Sequence, residues 1–234
     1  MSHPLGTAAD PKVRARIATE SGLDRATVEA LLRAATIRYF ARGTSVYPQG
    51  THRGSVFVVL SGAVSVSIGL RHGEQILCAF YQPGAMFGFP IVESERPRLS
   101  AANAFTTATL AVVPRREFER IIGALPPANV IRFFNRVLER QARFAMRLVH
   151  CIALDLRGRL ALTILDLMAA FGMPGSHGVQ ILLPITHTNL AQMVGASRER
   201  VSKALAALMR DGLLTYARQA VTVRDVKGLE AAAR

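Results

Sequence analysis

The chain has 234 residues and a formal charge of +13, from 29 lysines and arginines against 16 aspartates and glutamates, with arginine far the commoner base. That balance suits a polyanionic partner, and the length admits two small domains that each bury a core. Met1 to Glu20 is polar and basic, and no stretch approaches bilayer-spanning length, so no leader peptide, anchor or spanning helix is expected, and the protein is expected to be cytoplasmic.

Residues 1–20 read as a flexible N-terminal segment, followed by a short helix from Asp24 to Ala35. From 37 to 113 short β-type runs recur: Ser55 to Leu60, Ala63 to Ile68 and Gln75 to Tyr81, with turns at Gly62, Gly69 and Gly73. The pattern predicts an antiparallel β-roll within a domain of residues 21–125. Cys78 and Cys151 are the only cysteines; both have apolar neighbours, which points to buried thiols and excludes a four-cysteine metal site.

After Pro114 the texture turns helical: Arg115 to Ile122 forms a short helix, and Pro126-Pro127 opens a long one spanning 126–154. Val130, Phe134, Val137, Gln141, Phe144, Leu148 and Cys151 alternate steps of four and three, a heptad seam that predicts a homodimer with Gln141 setting the register. A second row, Ile131, Leu138, Ala145 and Ile152, widens the apolar face enough to reach the roll as well. Asp155 to Gly158 reads as a hinge, with Gly158 the weak point of helical continuity, before a last domain of residues 155–234.

Ile185 to Leu205 has the order of a helix, a glycine turn and a second, capped helix. Ala191 is small where two helices would touch, Gly195 supplies the positive φ of the turn, and Ser197 is placed as an N-cap. Val201, Leu205 and Leu208 face inward, which leaves Arg198, Glu199, Ser202 and Lys203 on the opposite face, free to enter a DNA major groove. A plain helical hairpin would use similar spacings, but Gly212 ends the second helix and Leu213 to Arg224 then alternates like a β-hairpin with Arg218 and Gln219 near its tip. That is the wing of a winged helix-turn-helix, with double-stranded DNA as partner.

Together these parts resemble the Crp/Fnr family of bacterial transcription regulators, which are cyclic-AMP receptor protein-like, over residues 20 to 228. The motifs are Pro48-Gln-Gly50, Val59-Leu-Ser-Gly62, Gln82-Pro-Gly84, Asp155-Leu-Arg-Gly-Arg-Leu160, Leu190-Ala-Gln-Met-Val-Gly195 and Ser197-Arg-Glu-Arg-Val201. The resemblance implies an α+β fold: an antiparallel jelly roll of the cyclic-nucleotide-binding kind, a dimerisation helix and a C-terminal winged helix-turn-helix. It also implies base reading by Arg198, Glu199 and Lys203, the last an arginine in the cyclic-AMP receptor protein, on TGTGA-like half-sites. Thr186, Thr188, Ser197, Ser202 and Arg218 are assigned to the DNA backbone, and RNA polymerase is a further candidate partner.

The effector pocket departs from the family pattern. Aligned after Gly88, Phe89 and Pro90 stand where cyclic-nucleotide-binding relatives carry a ribose-binding glutamate and its neighbour; Leu99-Ser100 stands in place of Arg-Ser, and Phe144 and Ala145 replace the polar pair that meets the adenine. Arg98 lies one place away and, by strand parity, is expected to point outward. No cyclic-AMP control, no cofactor and no metal are therefore expected. Phe87, Phe89, Leu99, Phe105 and Phe144 would fill the barrel or line an apolar pocket for an uncharged effector. Alternatives are a haem-based sensor using His72, His150 or Cys78, and a metal-dependent cupin-like enzyme using His72, Glu74 and His52; no catalytic residue is assigned.

Overall fold

In the computed structural model, residues 10–52, 54–71, 73–89 and 97–234 are described. They divide into two compact units, the first ending at Ala142 and the second running from Arg143 to Arg234, with Gln75–Leu77 assigned to the second.

The first unit opens on helix α1 (Pro11–Ser21), in a stretch expected to be a flexible segment. Asp10 caps it by accepting from the Lys12 N–H at 2.8 Å, Pro11 starts it, and Ile17 is buried. With this one large apolar anchor the helix has little amphipathic signature, so its caps are the better signal. Helix α2 (Arg25–Ala34) is capped by Asp24, whose carboxylate accepts from the Thr27 N–H at 2.7 Å, and it buries Val28 and Leu31.

The roll is built from β1 (Thr36–Phe40), β2 (Ser45–Tyr47), β3 (Ser55–Ser61), β4 (Val64–Gly69), β5 (Gln75–Tyr81), β6 (Met86–Phe87), β7 (Ala101–Ala104) and β8 (Ala108–Pro114). They form two four-stranded sheets, ordered β1-β8-β3-β6 and β2-β7-β4-β5. The central strand β3 is apolar without interruption because both of its faces are covered. Val56, Val58 and Leu60 join a core that includes Ile17, Leu31 and Phe133, while Phe57 stacks on Phe87 inside the roll. Gly62 makes the β3–β4 turn at φ 76°, where a Cβ would stand 2.1 Å from the Thr107 carbonyl oxygen.

Helix α3 (Arg115–Gly123) turns Phe118, Ile121 and Ile122 inward. Helix α4 runs from Pro127 to Ala153. Phe133 and Val137 are buried against the core of their own unit, whereas Ile131, Phe134 and Leu138 are exposed. This corrects the expected seam, since Val137 is committed to the roll side. The heptad row left open is Ile131, Phe134, Leu138, Gln141, Ala145 and Ile152, and all six are exposed. The Leu148 side chain lies outside what is described.

In the second unit, α5 (Leu156–Phe171) begins at Asp155, whose carboxylate accepts from the Gly158 N–H at 2.8 Å. The break between α4 and α5 thus falls at Leu154–Asp155, and Gly158 sits inside the first turn of α5 rather than at a hinge. Its cost in helix propensity is offset by the cap on its own N–H. Leu160, Ile164 and Leu167 form the inner face of α5. Strands β9 (Gly172–Gly175) and β10 (Gly178–Ile181) precede helices α6 (His187–Val194) and α7 (Arg198–Arg210). Strands β11 (Leu214–Ala217) and β12 (Ala220–Val223) and helix α8 (Val226–Ala232) complete the unit. The sheet runs β11-β12-β10-β9, so the wing hairpin is extended by a second hairpin that the sequence pattern does not announce.

Candidate nucleic-acid interface

Helix α6 starts with a reciprocal cap. The Thr186 hydroxyl accepts from the Asn189 N–H at 3.1 Å and donates to Asn189 Oδ1 at 2.7 Å, while that same oxygen accepts from the Thr186 N–H at 3.0 Å. Gly195 turns the chain at φ 63°, and Ser197 caps α7 by accepting from the Arg200 N–H at 3.4 Å. Val201, Leu205 and Leu208 are buried, as their spacing requires. Arg198, Glu199 and Lys203 are exposed on the outer side of α7, where the sequence put them. Thr188 is exposed as well. Hydrogen bonds from its own N–H and from Ser197 hold the Glu199 carboxyl below the usual range, which keeps it an ionised acceptor.

Two backbone assignments change in character. The Thr186 hydroxyl spends its single proton inside the cap. The Ser202 hydroxyl donates to the Arg198 carbonyl at 2.9 Å and lies 2.7 Å from His187 Nδ1. Both hydroxyls therefore shape the motif from within before any phosphate arrives.

The wing folds as a hairpin whose two turn residues, Arg218 and Gln219, have φ 49° and 65°. Both positive values identify a type I′ turn, the geometry that fits strand twist. The turn leaves the Arg218 side chain exposed at the tip, and the Gln219 carbonyl accepts from the Ile185 N–H at 3.1 Å, joining wing to helix-turn-helix entry. At the other end, Arg159 Nη1 donates to the Val194 carbonyl at 3.0 Å and reaches the Cys151 carbonyl at 3.5 Å, so one guanidinium serves the C-terminal ends of α6 and α4.

The roll interior differs from its expectation. Tyr47, Phe57, Phe87 and Tyr81 pack in sequence at centroid separations of 5.4, 5.3 and 4.9 Å, the first pair tilted and the other two stacked. Arg98 is buried, not outward: it donates to the Ser55 carbonyl at 2.9 Å and reaches the Gly88 carbonyl at 3.4 Å. The parity argument fails because Arg98 precedes β7, and its backbone is pinned to the 50–51 loop instead, by Gly50 N–H to its carbonyl and its own N–H to Thr51. At the other end of the stack Arg140 lies over Tyr81 and donates to the Met86 carbonyl at 2.7 Å. Burial pushes the Tyr47 and Tyr81 phenols up.

Of the residues expected to share a pocket, those described in the first unit do not converge. Leu99 is 71% exposed. Phe89 packs against Phe118 and Phe133, and Phe105 packs edge-on against Phe80. Ser100 sits beside the Tyr47 phenol. A cavity of about 10 Å³ beside Arg140 and Phe89 is too small for more than a water, and a cleft of about 520 Å³ lined by His52, Arg115, Arg116 and Glu119 lies on the surface. His72 and Pro90 lie outside the described residues. Among the described residues no group of three potential ligands could hold a metal, and no helix is long and apolar enough to cross a membrane.

Against known proteins, residues 37–124 match the cyclic nucleotide-binding domain and residues 158–232 the Crp-like helix-turn-helix domain. The CRP-like cAMP-activated global transcriptional regulator of Mycobacterium tuberculosis is 28% identical over 224 residues, covering 95% of this chain and 99% of that protein. The cyclic AMP receptor protein of Thermus thermophilus is 28% identical over 82% of this chain and 86% of its own length. Among solved structures, a transcriptional regulator of the CRP family from Thermus thermophilus aligns with a TM-score of 0.69 and 26% identity, over 84% of this chain and 96% of that one.

Proposed function

Because the chain belongs to the Crp/Fnr family of DNA-binding transcription regulators, and not to a family of enzymes, we propose that it acts as a cytoplasmic homodimer on palindromic TGTGA-like sites without control by cyclic AMP. The observation that carries the DNA reading is the outer face of α7. Arg198 can fork onto a guanine edge, ionised Glu199 can accept from cytosine N4, and Lys203 reaches guanine or phosphate. Arg218 and Thr188 meet the backbone, where contacts orient but do not discriminate. The exposed row from Ile131 to Ile152 supports the dimer, which would set two reading helices one DNA turn apart.

The aromatic packing among the described residues of the roll supports independence from cyclic AMP. The mycobacterial relative is cAMP-activated by name, yet here Phe89 stands in place of the ribose-binding glutamate and is turned into the aromatic cluster of α3 and α4. Arg98 restores a cation to the roll, but its Nη1 and Nη2 already meet the Gly88 and Ser55 carbonyls and its plane covers Tyr47. A phosphate would have to displace these contacts.

Fluorescence anisotropy of the ligand-free protein on a TGTGA-N6-TCACA duplex and a scrambled control tests the reading. Selective binding is expected, with Arg198→Ala losing about 1–3 kcal/mol on the specific duplex alone and Arg218→Ala weakening both duplexes alike. Equal losses for Arg198→Ala on both duplexes would reject its base-reading role. Cyclic AMP binding at micromolar or tighter affinity by calorimetry would reject the effector reading.

A further inference from the structure

His187, the first residue of α6, folds back onto the reading helix instead of reaching outward. Its ring lies 4.6 Å from the Tyr216 ring of the wing strand β11, and its Nδ1 stands 2.7 Å from Ser202 Oγ. Ser202 Oγ also donates to the carbonyl of Arg198 at 2.9 Å, and Tyr216 donates to the Ile185 carbonyl at 3.0 Å. Serine has one proton. If it goes to the Arg198 carbonyl, His187 must itself donate from Nδ1, which is the one neutral tautomer that satisfies both contacts. Nε2 is then left as a bare nitrogen, in keeping with its burial away from any hydrogen-bond partner among the described residues. A proton there would be a buried, unpaired donor next to Arg198.

We propose that neutral His187 is a positioning residue for sequence readout, which locks the first turn of the reading helix to the wing through Ser202 and so sets the direction of Arg198. The inference rests on Arg198 being a base-reading residue. The lock joins three parts of the interface, the entry of α6, the start of α7 and β11, with hydrogen bonds and ring packing and no ion pair. Facing a polyanion, that distinction matters. Phosphates would compete for a cation that held the parts together by charge, but they do not compete for a neutral imidazole.

The test measures affinity for a duplex that the wild-type protein selects from a randomised pool, and for a scrambled duplex, with thermal melting of each variant. His187→Leu and Ser202→Ala should each reduce the specific-to-scrambled ratio about fivefold, and the double variant should lose no more than either alone. His187→Asn places an amide N–H where Nδ1 stands and should keep the ratio within about twofold of wild type. Should His187→Leu fail to fold, the comparison of His187→Asn with Ser202→Ala decides the matter. Additive losses, equal losses on both duplexes, or an Asn variant no better than Leu would overturn the proposal while leaving Arg198 as a reader. A wild-type protein that selects no sequence at all would overturn both.

Discussion

The guanidinium carbon of Arg98 lies 3.9 Å from the ring centroid of Tyr47. With Arg140 over Tyr81 at the far end, the described interior of the roll holds a row of four packed rings with a cation at each end. Each guanidinium also satisfies a backbone carbonyl, Ser55 at one end and Met86 at the other. Arg98→Met should therefore remove a cation–π contact and strand buried carbonyls, at a cost of about 2–4 kcal/mol. The melting temperature should fall by roughly 2–4 °C per kcal/mol. An unchanged melting temperature would show that Arg98 is held in reserve for an anion and is no part of the packed interior.

The wing turn carries strain that can be relieved. Arg218 and Gln219 both sit at positive φ, where a side chain costs about 1–2 kcal/mol per residue and glycine does not. Gln219→Gly should raise stability by about 1 kcal/mol, somewhat offset by the greater freedom glycine has in the unfolded chain. Denaturant melts of the two proteins would show it. A fall in stability would mean that the Gln219 side chain holds the tip in place.

Burial, and then the neighbouring Arg198 guanidinium, hold His187 below the ordinary imidazole range. The unfolded chain takes up its proton near pH 6.5, and the folded protein only at lower pH. His187 therefore contributes its full stability above that value and loses it progressively as pH falls below it, since the unfolded state then binds more protons. Asp24 behaves in the same direction at lower pH: its bonds with Thr27 depress its carboxyl, so its contribution is lost only as pH falls below 3.8. Wild type should lose more melting temperature between about pH 7.5 and 5.5 than His187→Asn does. Parallel curves would remove His187 as the cause.

The helix-turn-helix was legible because each of its devices is local. A cap at Ser197, a left-handed glycine at Gly195 and an inward stripe of Val201, Leu205 and Leu208 are all written at fixed spacings. The β3, β4 and β5 strands were legible for the same reason, set between glycine turns and rich in apolar residues. The inward turn of Arg98 was not, because it depends on loop 50–51 gripping its backbone from far away in the chain, a pairing that no local period encodes. His187 was passed over as well. A histidine at the first position of a helix has no pattern of its own until Ser202 and Tyr216 are brought to it. The short β9–β10 hairpin was hidden by its glycines and proline, which read as loop.

The long helix offers the sharpest contrast between neighbouring residues. Val137 is 5% exposed and packs in the core with Phe133 and Ile17, while Leu138 is 62% exposed. A heptad row through Ile131, Phe134, Leu138 and Gln141 follows the face of the helix that the first unit leaves open, and in the second unit Ala145 and Ile152 are exposed as well, Ile152 at 89%. If the chain pairs as proposed, Leu138→Glu should break the dimer, since like charges would then meet across a two-fold seam. Light scattering should report the monomer mass at concentrations where wild type is dimeric, with little change in the melting of the roll. Val137→Ala should do the reverse, costing about 2 kcal/mol of folding stability with the dimer retained. Gln141→Leu would remove a polar side chain from the same row, strengthening association while loosening its register. If Val137→Ala dissociates the dimer and Leu138→Glu does not, the partner lies on the other face of the helix.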